Sequence, residues 1–410
     1  MAIQGLRGTD SFVADERPLN WRQGILMRFP NGHAPITALT SVMKKKVTDD
    51  PEYNHWEREV SNVRLQFDAN PGTGTGPLSV ATDPFGFGGG EQVKVGDLLY
   101  VEETGELMLV LTDGLAGSLP LVERSYGAVA ATTVLFATEN PNMVIVGSIY
   151  EEGADTPNNV RYTPTKINNF TQIFRNSLKA TRTAMQTHLR TVEEVKDAKT
   201  QALLYHSIAM EYAFIFGEKR EELGGSQPRR STGGIIEAIP GANVIDKLGV
   251  ATPYNELEDI FLEAFRFGSQ EKMAFIGNRA LLMIQRAIRK AQATSVELTP
   301  ATKEFGMDIR RLFTPYGTLV LKTHPLFNQI QSTPGSGNIF FSFDTWMLIV
   351  DMTDLTYRPL RNSDTQYLPD RQANGIDGLT SEYLTEAGLQ IAHGKHHFLV
   401  KGLIDAATET

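Results

Sequence analysis

A few short stretches carry residue types that could do chemistry. "PGTGTGP" places Gly72, Gly74 and Gly76 in the manner of a loop that cradles phosphate through its backbone N–H groups. It lacks the Lys-Ser/Thr pair such a loop needs, and Pro77 stands where a helix would have to open, so a loop needing backbone freedom is the preferred reading. "FGFGGG" fails the same test. "AHGKHH" gathers His393, His396 and His397, a residue type that ligates metals. The flanking Leu389, Ile391, Phe398 and Val400 read as strands, and no acid nearby in sequence completes a His-Glu-x-x-His set, so polar residues at a strand end are expected. Asp351 and Asp354 in "VDMTD" suggest a cation, against the preferred reading of an acidic turn after a buried strand. There is no Gly-x-Ser-x-Gly elbow and no cysteine to serve as nucleophile. The expectation is a chain with no catalytic residues, no metal and no cofactor, and not an enzyme.

Two cationic stretches remain. "KINNFTQIFRNSLKATRTA", residues 166–184, offers amides, hydroxyls, Phe170 and Phe174 four residues apart, and Arg175, Lys179 and Arg182, without a carboxylate or histidine. "QPRRSTGG" presents Arg229 and Arg230 on a loop. That loop is either solvated, or it meets carboxylates of a neighbouring subunit or nucleic acid; charge-assisted pairs of that kind favour arginine.

The elements that must position these residues are bounded by gross composition. At 410 residues, with 41% hydrophobic and 21% charged, the chain is long enough for two or three domain-sized units with a sizeable core. Lys plus Arg number 39 against 48 Asp plus Glu, a net charge of −9. That balance does not suit a broad grip on phosphate backbones, though it suits a wall beside which nucleic acid can lie. With no cysteine, cohesion must come from apolar burial and partners. Neither a signal-peptide pattern nor an apolar run of about 18 residues is found, which predicts cytoplasmic synthesis and no membrane partner.

Along the chain, residues 1–54 are broken by Pro18, Pro30, Pro35 and Pro51 and read as an arm lying on something else, or as a partly ordered tail. "WEREVSNVRLQF" alternates Val63, Leu65 and Phe67 at period two, and a glycine- and proline-rich excursion follows. Residues 93–150 hold several short β-like runs, a small all-β module. From Val192 to Phe216 the sequence reads as one helix about 37 Å long. Val195, Ala198, Ala202, Tyr205, Ala209, Tyr212 and Phe216 form its apolar stripe, with Thr191 as cap and Gly217 as release. Beyond it, "TPYNELEDIFLEAFRFG" is a helix capped by Thr252, "KMAFIG" a buried strand, and "NRALLMIQRAIRKAQA" a helix capped by Asn278. "YGTLVLKTHPLF" and the β-rich C-terminal segments complete an α+β chain.

This order of arm, glycine-rich excursion with β module, beam helix, α/β segment and closing strands resembles the major capsid proteins of tailed bacteriophages, the Hong Kong ninety-seven fold. "NHWEREV" looks like the strand entering that family's extended loop, "GDLLYVEETGELMLVL…LVERSYG" like an insertion in it, "NNFTQIFRNSLKATRTA" like the joint before the spine helix, and "KMAFIGNRALLMIQRAIRKA" like the axial strand and helix. The resemblance implies an N-terminal arm (1–54) and an extended loop (55–165) with an inserted β module (about 91–150). A peripheral domain (166–235) with its spine helix (about 192–216), an axial domain (236–335) and return strands (336–410) follow. It implies a head shell of hexamers and pentamers around double-stranded DNA, assembled in the host cytoplasm and located in the virion. Scaffold, portal and decoration proteins are possible partners. Within it, residues 166–184 are a joint anchored by Phe170 and Phe174, and Arg175, Arg182, Arg229 and Arg230 are candidate inter-subunit contacts. A portal or tail component, and an α/β hydrolase-type enzyme, are the alternative readings.

Overall fold

The structure is a computed structural model that describes residues 43–58, 64–69, 75–77, 79–80, 93–102, 104–114, 120–127, 142–159, 163–187, 194–225, 227–247, 250–291, 297–298, 302–304, 307–329 and 343–404. They form two compact units, one within His55–Ile167 and one from the described residues before and after that span. Helices and strands are mixed, with most strand pairs antiparallel, an α+β chain as expected.

Within His55–Ile167 the period-two alternation folds as it reads. Asp97–Val101 and Leu107–Val110 bury every second residue. They sit inside a seven-strand antiparallel sheet ordered Thr75–Pro77, Leu121–Glu123, Leu107–Val110, Asp97–Val101, Asn142–Ser148, Arg64–Ala69, Ser79–Val80. Leu65, Val93, Leu99, Val101, Met108, Val110, Val122 and Met143 form its core. Thr75–Pro77 is therefore strand where the sequence suggests only a loop; the other residues of the glycine-rich excursion, apart from Ser79–Val80, lie outside the described residues. Beside this core Glu106 and Arg124 are both 0% exposed, their side chains joined by two hydrogen bonds of 2.9 and 2.6 Å.

Among its described residues the larger unit holds two large sheets and a two-stranded ribbon of Arg220–Glu222 and Arg229–Ser231. One is ordered Lys44–Lys45, Leu355–Pro359, Gly378–Ile391, Gln172–Thr181, with Gln366–Leu368 also on Gly378–Ile391. The other has eight strands, ordered Val244–Asp246, Phe398–Lys401, Met347–Val350, Glu271–Ile276, Gly317–Thr323, Met307–Thr314 and Glu297–Leu298, with Thr302–Glu304 also on Met307–Thr314. Its faces divide by alternation. Ala274, Ile276, Leu319, Leu321, Met347, Ile349, Phe398 and Val400 face two helices, α2 (Tyr254–Ala264) and α3 (Asn278–Ala291). Phe275, Val320, Leu348, Val350 and Leu399 share a second core with Met210, Phe214 and Ile215 of α1 (Glu194–Phe216) and with Phe174, Leu355, Tyr357 and Leu389 of the first sheet.

Three local expectations are corrected. The buried face of α1 is Ala202, His206, Met210, Glu211, Phe214 and Ile215, while Tyr205 is 60% exposed. Polar residues occupy this face because each finds a partner, so an apolar stripe could not trace it. Thr252 does not cap α2, which starts after Pro253 without a side-chain cap. Asn278 is the first residue of α3, and its own N–H is taken by Asn328 Oδ1 at 2.8 Å. The proposed cap Thr191 lies outside the described residues. Gly217 does follow α1, for reasons of space: a Cβ there would lie 2.4 Å from the carbonyl oxygens of both Ala213 and Thr232. Among the described residues no helix is long and apolar enough to cross a membrane.

Glu106→Ala removes the carboxylate from a buried guanidinium and is expected to cost about 3–5 kcal/mol, whereas Glu106→Leu with Arg124→Met should recover most of that loss. Urea denaturation of the two variants checks this, and an unchanged midpoint for the single variant would show that the pair is dispensable.

Candidate functional site

The stretch 166–184 is built from two strands, Thr165–Phe170 and Gln172–Thr181, and a short helix, Arg182–Gln186. All ten residues of Gln172–Thr181 are in register with Gly378–Ile391, from Gln172 opposite Ala387 to Thr181 opposite Gly378. Alternation sends Phe174 and Leu178 inward and Ile173, Arg175, Ser177 and Lys179 outward. Phe170 and Phe174 are 9% and 5% exposed, so both are anchors, and Phe174 meets Phe214 of α1 edge-on at 6.2 Å.

Asn169 uses its amide completely. Its Nδ2 donates to the carbonyls of Gly233 and Leu389, both at 3.0 Å, and its Oδ1 accepts from the N–H groups of Phe170 and Gly233, both at 2.8 Å. One side chain thus ties the turn between two strands to the neighbouring sheet strand and to the loop after Ser231. Close approach continues in that loop, where a Cβ on Gly234 would lie 2.8 Å from both Gly217 N and the Ile215 carbonyl oxygen. Sequence reading saw that amides here would satisfy backbone; it could not see which backbone.

The cations are less free than expected. Arg175 donates to Glu382 at 2.6 Å, and Glu382 also meets Arg371 at 3.3 Å. Arg182 pairs with Asp377 at 3.0 Å, and Arg230 with Glu221 at 2.8 Å across the ribbon of Arg220–Glu222 and Arg229–Ser231. Arg175 and Arg182 are therefore each paired within the chain. Their side chains stay 62% and 71% exposed, so solvent screens both pairs. Arg229 is exposed at the start of its strand.

The fold also assembles what the sequence leaves apart. Donor atoms of Asp351, Asp354 and His396 lie within 4.8 Å of one another, an arrangement able to hold a divalent cation. The acids missing near "AHGKHH" arrive from a turn 42 residues earlier. These donors are already engaged. Asp351 accepts from the N–H groups of Ser269 and Thr353 and from the Thr353 hydroxyl, and Asp354 meets His396 Nδ1 at 2.6 Å. The neighbouring positive charge is Lys272, whose buried ammonium donates to the carbonyls of Ala264, Phe267 and His396 at 2.7–2.8 Å. Burial lowers the Lys272 pKa to about 8 against the pull of Asp351 and Asp354. Burial opposes ionisation of Asp351, but its hydrogen bonds outweigh this and hold its pKa at about 2. The cluster is a structural polar knot that locks α2's exit to the turn at 351–354. Sequence reasoning passed over Lys272; a charge inside the buried strand "KMAFIG" was the available signal.

His397 lies in the same knot, its Nδ1 accepting from the Asp351 N–H at 3.2 Å. Burial chiefly, with Lys272 adding to it, lowers its pKa from 6.5 to about 4, while Asp354 and Asp351 pull the other way. The unfolded chain therefore binds a proton that the folded chain does not, and stability falls as pH drops through the window from about 6.5 to about 4, by on the order of 3 kcal/mol. Denaturation midpoints across that range should show this slope for the native chain and a flatter one for His397→Asn. An equal slope in both would assign the loss to other groups.

A family profile described as SU10 major capsid protein matches residues 20–404. A protein named major capsid protein, from Pseudomonas phage PaMx41, is 26% identical over 330 residues, covering 76% of this chain and 73% of the relative. Among solved structures, the capsid of a native GTA particle aligns with TM-score 0.46 at 9% identity over 97% of this chain and 98% of the other. Microbacterium phage Oxtober96 aligns with TM-score 0.43 at 10% identity, over 95% and 96%. The profile reaches across both compact units as far as the last described residue, and on that extent the chain belongs to the SU10 major capsid protein family.

Proposed function

We propose that this chain is the repeating subunit of a bacteriophage head shell, closing around double-stranded DNA through hexamers and pentamers of itself. The family match across residues 20–404 carries this reading. In its favour stands a fold whose polar devices are mechanical: an asparagine near a strand end with its amide fully bonded, glycines at points of close approach, and a polar knot whose groups are engaged within the chain. The net charge of −9 suits a wall that packaged DNA lies beside without adhering.

A standard contact buries about 1,600 Å², and each subunit of a shell makes several. Weak contacts become effectively irreversible once closure makes each of them intramolecular. On this reading residues 166–235 belong to a peripheral domain, 236–335 to an axial domain, and 55–165 to an extended loop that reaches a neighbour. Arg175, Arg182, Arg229 and Arg230 are contacts with other copies, Arg229 through an exposed guanidinium and the others by exchanging or sharing their present carboxylates. Scaffold, portal and decoration proteins would act on the same shell, which assembles in the host cytoplasm.

Light scattering and electron microscopy of the purified chain test this. Megadalton shells are expected; a small ring would point to a portal or tail part, and a stable small species with turnover to an enzyme. Deleting residues 70–90 should leave a folded chain, by circular dichroism, that no longer makes stable shells, and normal particles from that deletion would overturn the role given to the extended loop.

A further inference from the structure

Two Asn-Gly and two Asp-Gly steps occur in the sequence: Asn31–Gly32, Asp113–Gly114, Asn374–Gly375 and Asp377–Gly378. Such a step can close on itself. The backbone nitrogen of the glycine attacks the side-chain carbonyl carbon of the residue before it, and a cyclic imide forms. Glycine favours this because it has no Cβ to shield the nitrogen or to restrict backbone rotation. A fold permits or forbids the step through two groups, the side chain that is attacked and the N–H that attacks. Asn31–Gly32 lies outside the described residues, and the other three steps differ in both groups.

The two Asp-Gly steps are tied down. Asp113 accepts from the Val95 N–H at 2.8 Å and from the Asn158 amide, and the Gly114 N–H donates to the Val93 carbonyl at 2.9 Å. Asp377 pairs with Arg182 at 3.0 Å. The Gly378 N–H donates to the Ile376 carbonyl at 3.2 Å, and Gly378 is held in register opposite Thr181. An ionised carboxylate is, besides, a poor target for a nucleophile.

Asn374–Gly375 has neither restraint. The two residues are the central pair of a tight turn, closed by the Ile376 N–H on the Ala373 carbonyl at 3.0 Å. Every residue from Ala373 to Asp377 is exposed. Among the described residues neither the Asn374 amide nor the Gly375 N–H has a hydrogen-bond partner. A Cβ on Gly375 would meet nothing within 4 Å, and φ there is outside the left-handed region, so the turn itself does not require glycine. Attacked and attacking groups are both free and both in water.

We propose that Asn374 is a site of spontaneous modification in the folded chain, converting to a mixture of aspartate and isoaspartate. The Gly375 nitrogen bonds to Asn374 Cγ and gives up its proton, the side-chain nitrogen leaves as ammonia, and water opens the imide at either carbonyl. No enzyme, oxidant or metal enters. A carboxylate then replaces a neutral amide between Arg371, which meets Glu382 at 3.3 Å, and Asp377, which holds Arg182. The isoaspartyl product also routes the main chain through a side-chain carbon. That lengthens the turn leading into Gly378–Ile391, the strand that Leu355–Pro359, Gln366–Leu368 and Gln172–Thr181 all join. Each copy thus carries a chemical record of its age, independently of what it assembles into.

The test incubates the full-length chain at mildly alkaline pH beside a synthetic peptide of residues 370–380. Isoaspartate at 374 is read by mass spectrometry of the proteolytic fragment and by labelling with an isoaspartyl methyltransferase. The folded chain should convert at a rate close to the peptide's, with ammonia released in step, while Asp113 changes only in the chain unfolded by urea. Gly375→Ala should slow conversion by about tenfold, and Asn374→Gln should abolish it, both with unchanged circular dichroism. A folded chain that converts far more slowly than the peptide would show that the fold protects this turn, and would overturn the proposal without recourse to any variant. Equal rates in Gly375→Ala and the native chain would overturn the assigned chemistry.

Discussion

Deep in the larger unit, Glu211 of α1 and His324 face each other at 2.8 Å, both side chains 0% exposed. Such a pair is weak evidence of stability, because desolvation offsets most of its attraction. Its worth lies in register. α1 has to satisfy two sheets at once, with Phe174, Tyr357 and Leu389 from one and Phe275, Leu348 and Leu399 from the other in the same core. Apolar contacts alone would tolerate sliding. A shift of one turn, about 5.4 Å, would strand a buried carboxylate among phenylalanines. His206 adds a second pin, meeting Asn176 at 3.1 Å and Thr385 at 2.7 Å on the first sheet. Burial lowers the His206 pKa and so favours its neutral form.

These pins also explain what could be read from the sequence. The existence of α1 is legible from residues recurring three and four apart up to Gly217, and the buried strand Glu271–Ile276 and the anchoring of Phe170 and Phe174 are legible too. The orientation of α1 was not, because His206 and Glu211 lie on its buried side and their partners are far away in the chain: Thr385 is 179 residues from His206, and His324 is 113 from Glu211. The helix starts failed for a related reason. Thr252 and Asn278 are of capping type, yet a proline starts one helix and Asn328 serves the other from 50 residues away. Asp351, Asp354 and His396 were each visible singly; their meeting depends on how two strand exits are folded together. Local signals predict local structure, and the bonds that pin α1 and gather the Asp351, Asp354 and His396 cluster join distant segments.

Glycine marks where those segments converge. Gly217, Gly233 and Gly234 lie where the end of α1, the loop after Ser231 and Asn169 come together, and the Gly234 N–H bonds the Gly217 carbonyl at 2.8 Å. Backbone leaves no room for a side chain at two of them: a Cβ on Gly217 would lie 2.4 Å from the Thr232 carbonyl oxygen, and one on Gly234 2.8 Å from Gly217 N. Backbone held against backbone at this point makes a stiff node from which both sheets and the helix extend, as a subunit bearing load from neighbours requires.

The strand Gln172–Thr181 has a further consequence. Among the described residues it pairs only with Gly378–Ile391, so it is the margin of its sheet. A bare margin invites another chain to zip onto it. Here Lys179 stands on the outward face between Arg175 and Arg182, whose pairs with Glu382 and Asp377 stay largely exposed, and a charged strand of this kind is a poor template for another. Charge on this strand thus works against uncontrolled strand-to-strand stacking of one copy on another.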